Sequence, residues 1–386
     1  MKNFQELKVL IVSASVGAGH TQAAQALKVE LERQGLTRVQ VVDFMAGENS
    51  YLNTLVKEAY LKMIDIFPNM YDMLYRFFQM RLPGSKVQNL MALAMKRSMM
   101  KLIKAHRPDL IICTHPFPCG AAAYLKRNRK ISIPLVGVLT DFAIHRLWCY
   151  QEIDLYFVAT EELKTALGSA GIPAERIHAT GIPINPKFNH AVESLDKNTI
   201  RRELDLLPDR PVILMMGGGL GLGSLSEAVE TLNAISMPLN LIVVAGHNSE
   251  LRRHVLAFAR QSHHKIKVFG YTKHIPELMS AADVLVTKPG ALTISEAAAM
   301  NLPMLFFEPI PGQEEENATY LTGKGAAIWV EDDMNLGTIL SNLLAHPEKL
   351  CRMQKQVSLL GRPMAAPVII DTIIQNLLHS NAAAHN

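Results

Sequence analysis

Twice along this chain a short, largely apolar run leads into a glycine-rich loop and then into a helix-forming stretch. Lys8–Ser13 (KVLIVS) enters ASVGAGH and a helix with apolar positions at Ala24, Leu27 and Leu31. Pro211–Met216 (PVILMM) enters GGGLGLGS and a helix from about Leu225. A strand that is apolar on both faces is stable only inside a parallel sheet with helices packed on each side. Further strands of this kind are expected at Val39–Phe44, Leu110–Cys113, Leu135–Leu139 and Leu155–Ala159, then at Leu239–Ala245, Ile266–Phe269, Val284–Thr287 and Met304–Phe307. Alternation with helical stretches makes this an α/β chain of two Rossmann-like, doubly wound parallel-sheet domains. Ligands of such domains bind outside the carboxyl ends of the strands, here in a cleft between the domains. The domains are expected at 1–190 and 191–365, with the polar linker near Pro183–Lys197. A last helix within 366–386, about Val368–Leu378, is expected to pack back on the first domain.

With 386 residues, 49% apolar and 19% charged, the chain has material for two cores and is not a disordered polymer. Its four cysteines (Cys113, Cys119, Cys149 and Cys351) form no CxxC pair, which argues against a disulfide framework or zinc site and for a reducing compartment. Glu6 and Lys8 interrupt the start of the chain before any signal-like apolar core, and no apolar run approaches the roughly 18–20 residues of a membrane span. A cytoplasmic protein is expected, peripheral on the cytosolic membrane face. Charge is unevenly placed: residues 51–107 hold ten basic side chains, three acidic ones and eight of the 19 methionines. That mixture suits either an interfacial helix on anionic lipid or a Met-packed hairpin with a solvated basic face. The membrane reading rests on Arg76, Phe77, Phe78, Arg81, Lys96 and Arg97. No nucleic-acid partner is expected.

The segment Val284–Tyr320, VLVTKPGALTISEAAAMNLPMLFFEPIPGQEEENATY, reads as strand, turn, helix, strand, loop, helix. Both helices open at glycine-supported turns, where free backbone N–H groups and the helix dipole favour an anion. Glu296 lies one turn into the first helix, and Gln313 and Glu314 open the second. Carboxylates and amides beside phosphate donors are what a nucleotide-sugar pocket needs. Gly217, Gly218 and Gly219 can form a further anion nest; no lysine follows the last glycine, so this is not an ATPase loop. At the first loop, Gly17 and Gly19 permit close approach of a ligand. His20 is placed either as a base for a hydroxyl or as a capping histidine. A dinucleotide site with Asp43 on the ribose is disfavoured because Gln22 replaces the third glycine of GxGxxG. Asp141 ends a strand, as a base, as an orienting group for His20, or as a helix cap, with His145 and Trp148 close behind. Thr114, His115 and Phe117 end another strand, in a proline-stiffened loop that is either an acceptor contact or a structural turn. Lys288 is either a phosphate contact or a solvated charge.

Four ordered stretches, SVGAGHTQAA, THPFP, TDFAIHRLW and the region from GGGLGLGS through KPGALTISEA to PGQEEEN, resemble the GT-B glycosyltransferases of family 28. The likeness is to monogalactosyldiacylglycerol synthases and processive diacylglycerol glucosyltransferases. It implies inverting transfer of glucose or galactose from a UDP-sugar to diacylglycerol, giving a β-glycolipid. It also implies that His20 faces the acceptor as candidate base, with Asp141 as the other catalytic candidate. Gly217–Gly219 would lie on the donor diphosphate, Phe269, Gly270, Tyr271 and Thr272 would read the uracil, and Glu296 would take the ribose diol. Lys288, Gly290 and Thr293 join this donor set, and Gln313, Glu314 and Asn317 would bind the hexose. Gly19, His115, Phe117, His145 and Trp148 would line the acceptor side. No DxD-like metal site accompanies these motifs, so no cofactor is expected beyond the UDP-sugar co-substrate. The rival readings are a UDP-N-acetylglucosamine transferase acting on a polyprenyl-linked acceptor, a UDP-sugar epimerase and a non-catalytic UDP-sugar sensor.

Overall fold

The computed structural model describes residues 4–15, 18–46, 86–217, 225–331 and 334–378. The chain divides into two compact units, Met1–Pro186 with Pro311–Gln313 and Pro363–Asn386, and Lys187–Ile310 with Glu314–Arg362. The chain leaves the first unit at Pro186, re-enters it at Pro311–Gln313 and returns finally at Pro363, where divides at 190 and 365 were expected.

In the first unit the order is β1 (Val9–Ser13), α1 (Ala18–Arg33), β2 (Val39–Asp43), α2 (Lys86–His106), β3 (Leu110–Cys113), α3 (Pro116–Arg127), β4 (Leu135–Val138), β5 (Leu155–Val158), α4 (Glu161–Ser169) and β6 (Ile177–Ala179). The sheet runs β2-β1-β3-β4-β5-β6, all parallel. Every residue of β1 is buried, because Val9 and Ile11 meet helices on one face while Leu10 and Val12 point to the other. The alanine-rich face of α1 permits close packing on the sheet and buries Ala24, Leu27 and Leu31.

The second unit contains α5 (Lys187–Ser194), α6 (Lys197–Glu203), β7 (Val212–Met216), α7 (Leu225–Leu232), β8 (Asn240–Val244), α8 (Ser249–Ala259), β9 (Lys265–Phe269) and α9 (Ile275–Ala281). It continues through β10 (Val284–Thr287), α10 (Ala291–Ala299), β11 (Met304–Phe306), α11 (Gln313–Gly323), β12 (Ala327–Trp329), α12 (Leu336–Ala345) and α13 (Pro347–Leu360). Its parallel sheet runs β12-β11-β10-β7-β8-β9. The edge strand β9 carries Lys265 and Lys267, both paired with Asp205 at 2.9 and 3.1 Å, which discourages pairing with a foreign strand. Asp283, just before β10, accepts from Lys197 and Arg201 at 2.7 Å each and from the Val212 amide at 2.8 Å. That carboxylate ties α6 to the starts of two adjacent strands.

Three features differ from expectation. The edge strands β6 and β12 are three residues each, too short for an alternating pattern to register. The third is Pro347–Asn376, which is long and apolar enough to cross a membrane, against the expectation that no such stretch exists. Several of its apolar residues are committed to cores: Met353 of α13 in the second unit, and Ile369, Ile370 and Ile373 of α14 (Ala365–Ile373) beside Leu27 and Leu31 in the first, while Leu359, Met364 and Val368 are exposed. Gly361 and Pro363 separate the two helices.

Gly361 ends α13 against the C-terminal turn of α10, where a Cβ would lie 2.7 Å from the Ala298 carbonyl oxygen. That neighbour is backbone, so it does not swing aside. Gly361→Ala is expected to cost about 1–3 kcal/mol of stability through overpacking, read from denaturant midpoints of the second unit.

Candidate functional site

Each sheet has a point where successive connections turn to opposite sides. In the first unit it lies between β1 and β3, and in the second between β7 and β10. Loops diverge there and leave a crevice at the carboxyl ends of the strands.

At the first switch point His20 occupies the opening turn of α1. Its Nδ1 lies 2.9 Å from the Thr114 carbonyl oxygen, just past β3, and 2.6 Å from Thr140 Oγ1, just past β4. The Thr114 hydroxyl donates back to the His20 carbonyl at 3.0 Å. The His115 ring stands edge-on to His20 with centroids 4.7 Å apart. A carbonyl oxygen can only accept, so Nδ1 carries the proton and Nε2 has a free lone pair. Loss of solvation lowers the His20 pKa to about 4, although its bond to Thr114 works the other way. The ring is neutral at physiological pH and holds a base at the end of the sheet.

The other acceptor-side candidates are placed as follows. His115 is the N-cap of α3, its Nδ1 accepting from the Phe117 amide at 3.2 Å, and its ring lies 4.8 Å from that of Phe117. Burial, with His20 beside it, holds its pKa well below the usual value. His145 caps a short turn at 146–148 in the same way, accepting from the Leu147 amide at 3.2 Å. Both rings thus spend Nδ1 on backbone. Trp148 is 2% exposed and sits in the core. Its carbonyl accepts from the Tyr156 hydroxyl of β5 at 2.7 Å, and that hydroxyl accepts from the Tyr150 amide at 3.0 Å. Gly19 precedes His20 in α1, and Asp141 is buried directly after Thr140. Gly17 lies outside the described residues.

At the second switch point Gly217 is buried at the end of β7; Gly218 and Gly219 lie outside the described residues. The loop Lys288–Gly290 leads from β10 into α10, whose N-cap Gly290 offers no side-chain acceptor, so the first-turn amides around Thr293 receive no cap from the N-cap residue. Glu296 follows on the same helix. Burial alone raises its pKa to about 8, and among the described residues its carboxyl has no hydrogen-bond partner. Lys288 lies 4.0 Å from Glu308. The side chains on α11 hold the neighbouring loops. Asn317, buried, donates to the Pro289 carbonyl at 3.1 Å, and Glu314 accepts from the Ile310 amide at 2.8 Å. Gln313 begins that helix. Phe269 ends β9 and Gly270 to Thr272 follow it; Tyr271 is exposed and stacks on His247 with centroids 4.5 Å apart, a partner that sequence reasoning did not single out.

Residues 20–184 match the family model for Monogalactosyldiacylglycerol (MGDG) synthase, and residues 212–367 match that for the Glycosyltransferase family 28 C-terminal domain. The chain is 35% identical over 369 residues to a processive diacylglycerol beta-glucosyltransferase of Bacillus cereus (strain ATCC 10987 / NRS 248), covering 95% of this chain and 93% of that one. The chain belongs to glycosyltransferase family 28. A Bacillus thuringiensis (strain Al Hakam) protein of the same name is also 35% identical, with the same coverage of both chains. Among solved structures, Acinetobacter baumannii MurG aligns with a TM-score of 0.62 at 17% identity, over 96% of this chain and 99% of that one. A Neisseria meningitidis UDP-GlcNAc 2-epimerase bound to UDP-GlcNAc aligns with a TM-score of 0.59 at 16% identity, over 96% and 100%. Those likenesses establish the GT-B fold, which transferases and epimerases share.

Within this family 28 chain, sequence reasoning also passed over Thr140. It was visible as the first letter of TDFAIHRLW, but nothing in the pattern shows that β4 delivers its hydroxyl to a ring on α1.

The His20 environment has a pH signature. Between about pH 6.5, the ordinary histidine pKa, and about 4, the unfolded chain takes up a proton that the folded ring refuses. Its contribution to stability is therefore complete above pH 6.5 and is lost as pH falls through about 4. The His20 ring should titrate near pH 4 by NMR, and the fall in stability over this window should be shallower in His20→Gln.

Proposed function

We propose that this chain transfers a hexose from a UDP-hexose to the free hydroxyl of diacylglycerol, with inversion, to give a β-glycosyldiacylglycerol. The observation that carries the reading is the neutral His20, with Nε2 unprotonated, at the switch point of the sheet. Likeness along 95% of the chain to diacylglycerol glucosyltransferases supports the choice of acceptor. In the reaction, Nε2 takes the hydroxyl proton while the acceptor oxygen bonds to the anomeric carbon. The bond from that carbon to phosphate breaks, and UDP leaves with the electron pair. The uncapped start of α10 and the backbone at Gly217 are suited to the leaving diphosphate. Glu296, a carboxyl without a partner among the described residues, is suited to the ribose diol. The UDP-sugar is a co-substrate in this scheme, and no metal is invoked.

The proposed site of action is an anionic membrane surface on the cytosolic side. Leu90, Leu93, Arg97, Lys101 and Lys104 recur at helical spacing and form one exposed stripe of α2, while Ala92, Met99 and Ile103 are buried. Lys96 lies 5.7 Å over the Tyr124 ring. Arg76, Phe77, Phe78 and Arg81 lie outside the described residues.

The deciding experiment incubates purified protein with diacylglycerol liposomes and UDP-glucose or UDP-galactose. Formation of a glycolipid supports the reading; no lipid product, or only an isomerised UDP-sugar, overturns it. By calorimetry Glu296→Ala should weaken UDP binding about tenfold or more, because charge-assisted hydrogen bonds worth roughly 1.5–3 kcal/mol are removed. Unchanged calorimetric affinity would take Glu296 out of the site.

Replacing Arg76, Arg81, Lys96 and Arg97 by Gln should remove on the order of 1 kcal/mol of surface attraction per charge at low salt and leave UDP affinity intact. Liposome flotation should show much weaker binding to anionic vesicles, and flotation equal to the parent would make the basic window an ordinary packed hairpin.

A further inference from the structure

The contacts of His20 allow the proposed chemistry to be taken one residue outward. Thr140 is 5% exposed, so its hydroxyl is withheld from bulk water, and it lies 2.6 Å from His20 Nδ1. The same nitrogen faces the Thr114 carbonyl at 2.9 Å. Because that carbonyl requires a proton on Nδ1, the Thr140 oxygen meets an N–H and accepts from it, with its own hydrogen turned away. The edge-on His115 ring, 4.7 Å off, restricts rotation of the imidazole plane. His115 is itself a titratable group packed on His20, but burial keeps it uncharged. Asp141 is the next residue after Thr140.

We propose that Thr140 is a positioning residue for His20: its hydroxyl oxygen is a second acceptor for the Nδ1–H that the Thr114 carbonyl fixes, and it holds the ring so that Nε2 is the free base toward the acceptor. The proposal rests on His20 being the base. Its consequence is differential. When Nε2 takes a proton the ring becomes an imidazolium, and the Nδ1–H gains acidity while its two oxygen acceptors stay in place. Both contacts therefore strengthen as charge develops, stabilising the transition state more than the resting ring. A threonine suits the task because its branched Cβ restricts the hydroxyl to few rotamers. Serine keeps the oxygen with a looser aim, and valine keeps the shape without it.

The test pairs kinetics with a direct view of the tautomer. In protein labelled with 15N at histidine, with His20→Gln assigning the signal, the parent should show a protonated Nδ1 and a bare Nε2 at pH 7. Thr140→Val should lower kcat about three- to tenfold with UDP affinity unchanged, and move the acid limb of the rate profile. Thr140→Ser should recover most of the loss, as a merely structural role would not require. A proton on Nε2 in the parent, or parental kcat and pH profile in Thr140→Val, would overturn the proposal. If Thr140→Val fails to fold, the parent tautomer and the Thr140→Ser rate profile still decide. Full turnover in His20→Ala would overturn the base assignment and this proposal together. Loss of turnover in His20→Ala with a silent Thr140→Val would overturn the positioning role alone.

Discussion

A parallel strand buried on both faces has its backbone hydrogen bonds spent on its neighbours and its side chains spent on packing. It meets solvent only at its ends, and chemistry must be placed there. In both units the strands at and beside the switch point are nearly all apolar, and polar residues begin at or just past their ends: Thr114 and His115 after β3, Thr140 and Asp141 shortly after β4, Lys288 after β10. The position of each functional group follows from where a strand must stop being greasy.

The same burial acts in opposite senses on the two main ionisable candidates. Low solvation disfavours charge, so it lowers the His20 pKa to about 4 and raises that of Glu296 to about 8, leaving a neutral imidazole and a carboxyl that resists ionisation. The first state is ready to accept a proton. The second would ionise more readily beside hydrogen-bond donors, which lower a carboxyl pKa.

Much of this was legible from the chain alone. The two glycine-rich turns and their strands fixed the fold class, since few architectures bury such runs, and ordered motifs identified the family. What the sequence hid was of two kinds. Three-residue edge strands such as β12 carry no period to detect. Side-chain pairings across distant segments, such as Asn317 to Pro289 or His20 to Thr140, depend on three-dimensional register rather than spacing. His115 and His145 illustrate a further limit. Each looks like chemistry in a string of letters, and each spends a ring nitrogen holding a turn.

The phenol of Tyr156 lies beneath the turn that closes the β4–β5 connection, bonded to both Trp148 and Tyr150. Surface loops ordinarily open by local fluctuations far smaller than global unfolding, and their amides exchange quickly with solvent. Here the turn is anchored to a core strand, so the Tyr150 amide opens only when the β5 contact breaks. Its deuterium uptake should be slow, like that of the sheet and unlike that of a loop. The segment that begins with Thr140 and Asp141 thus inherits, at its far end, the rigidity of the strand beside it.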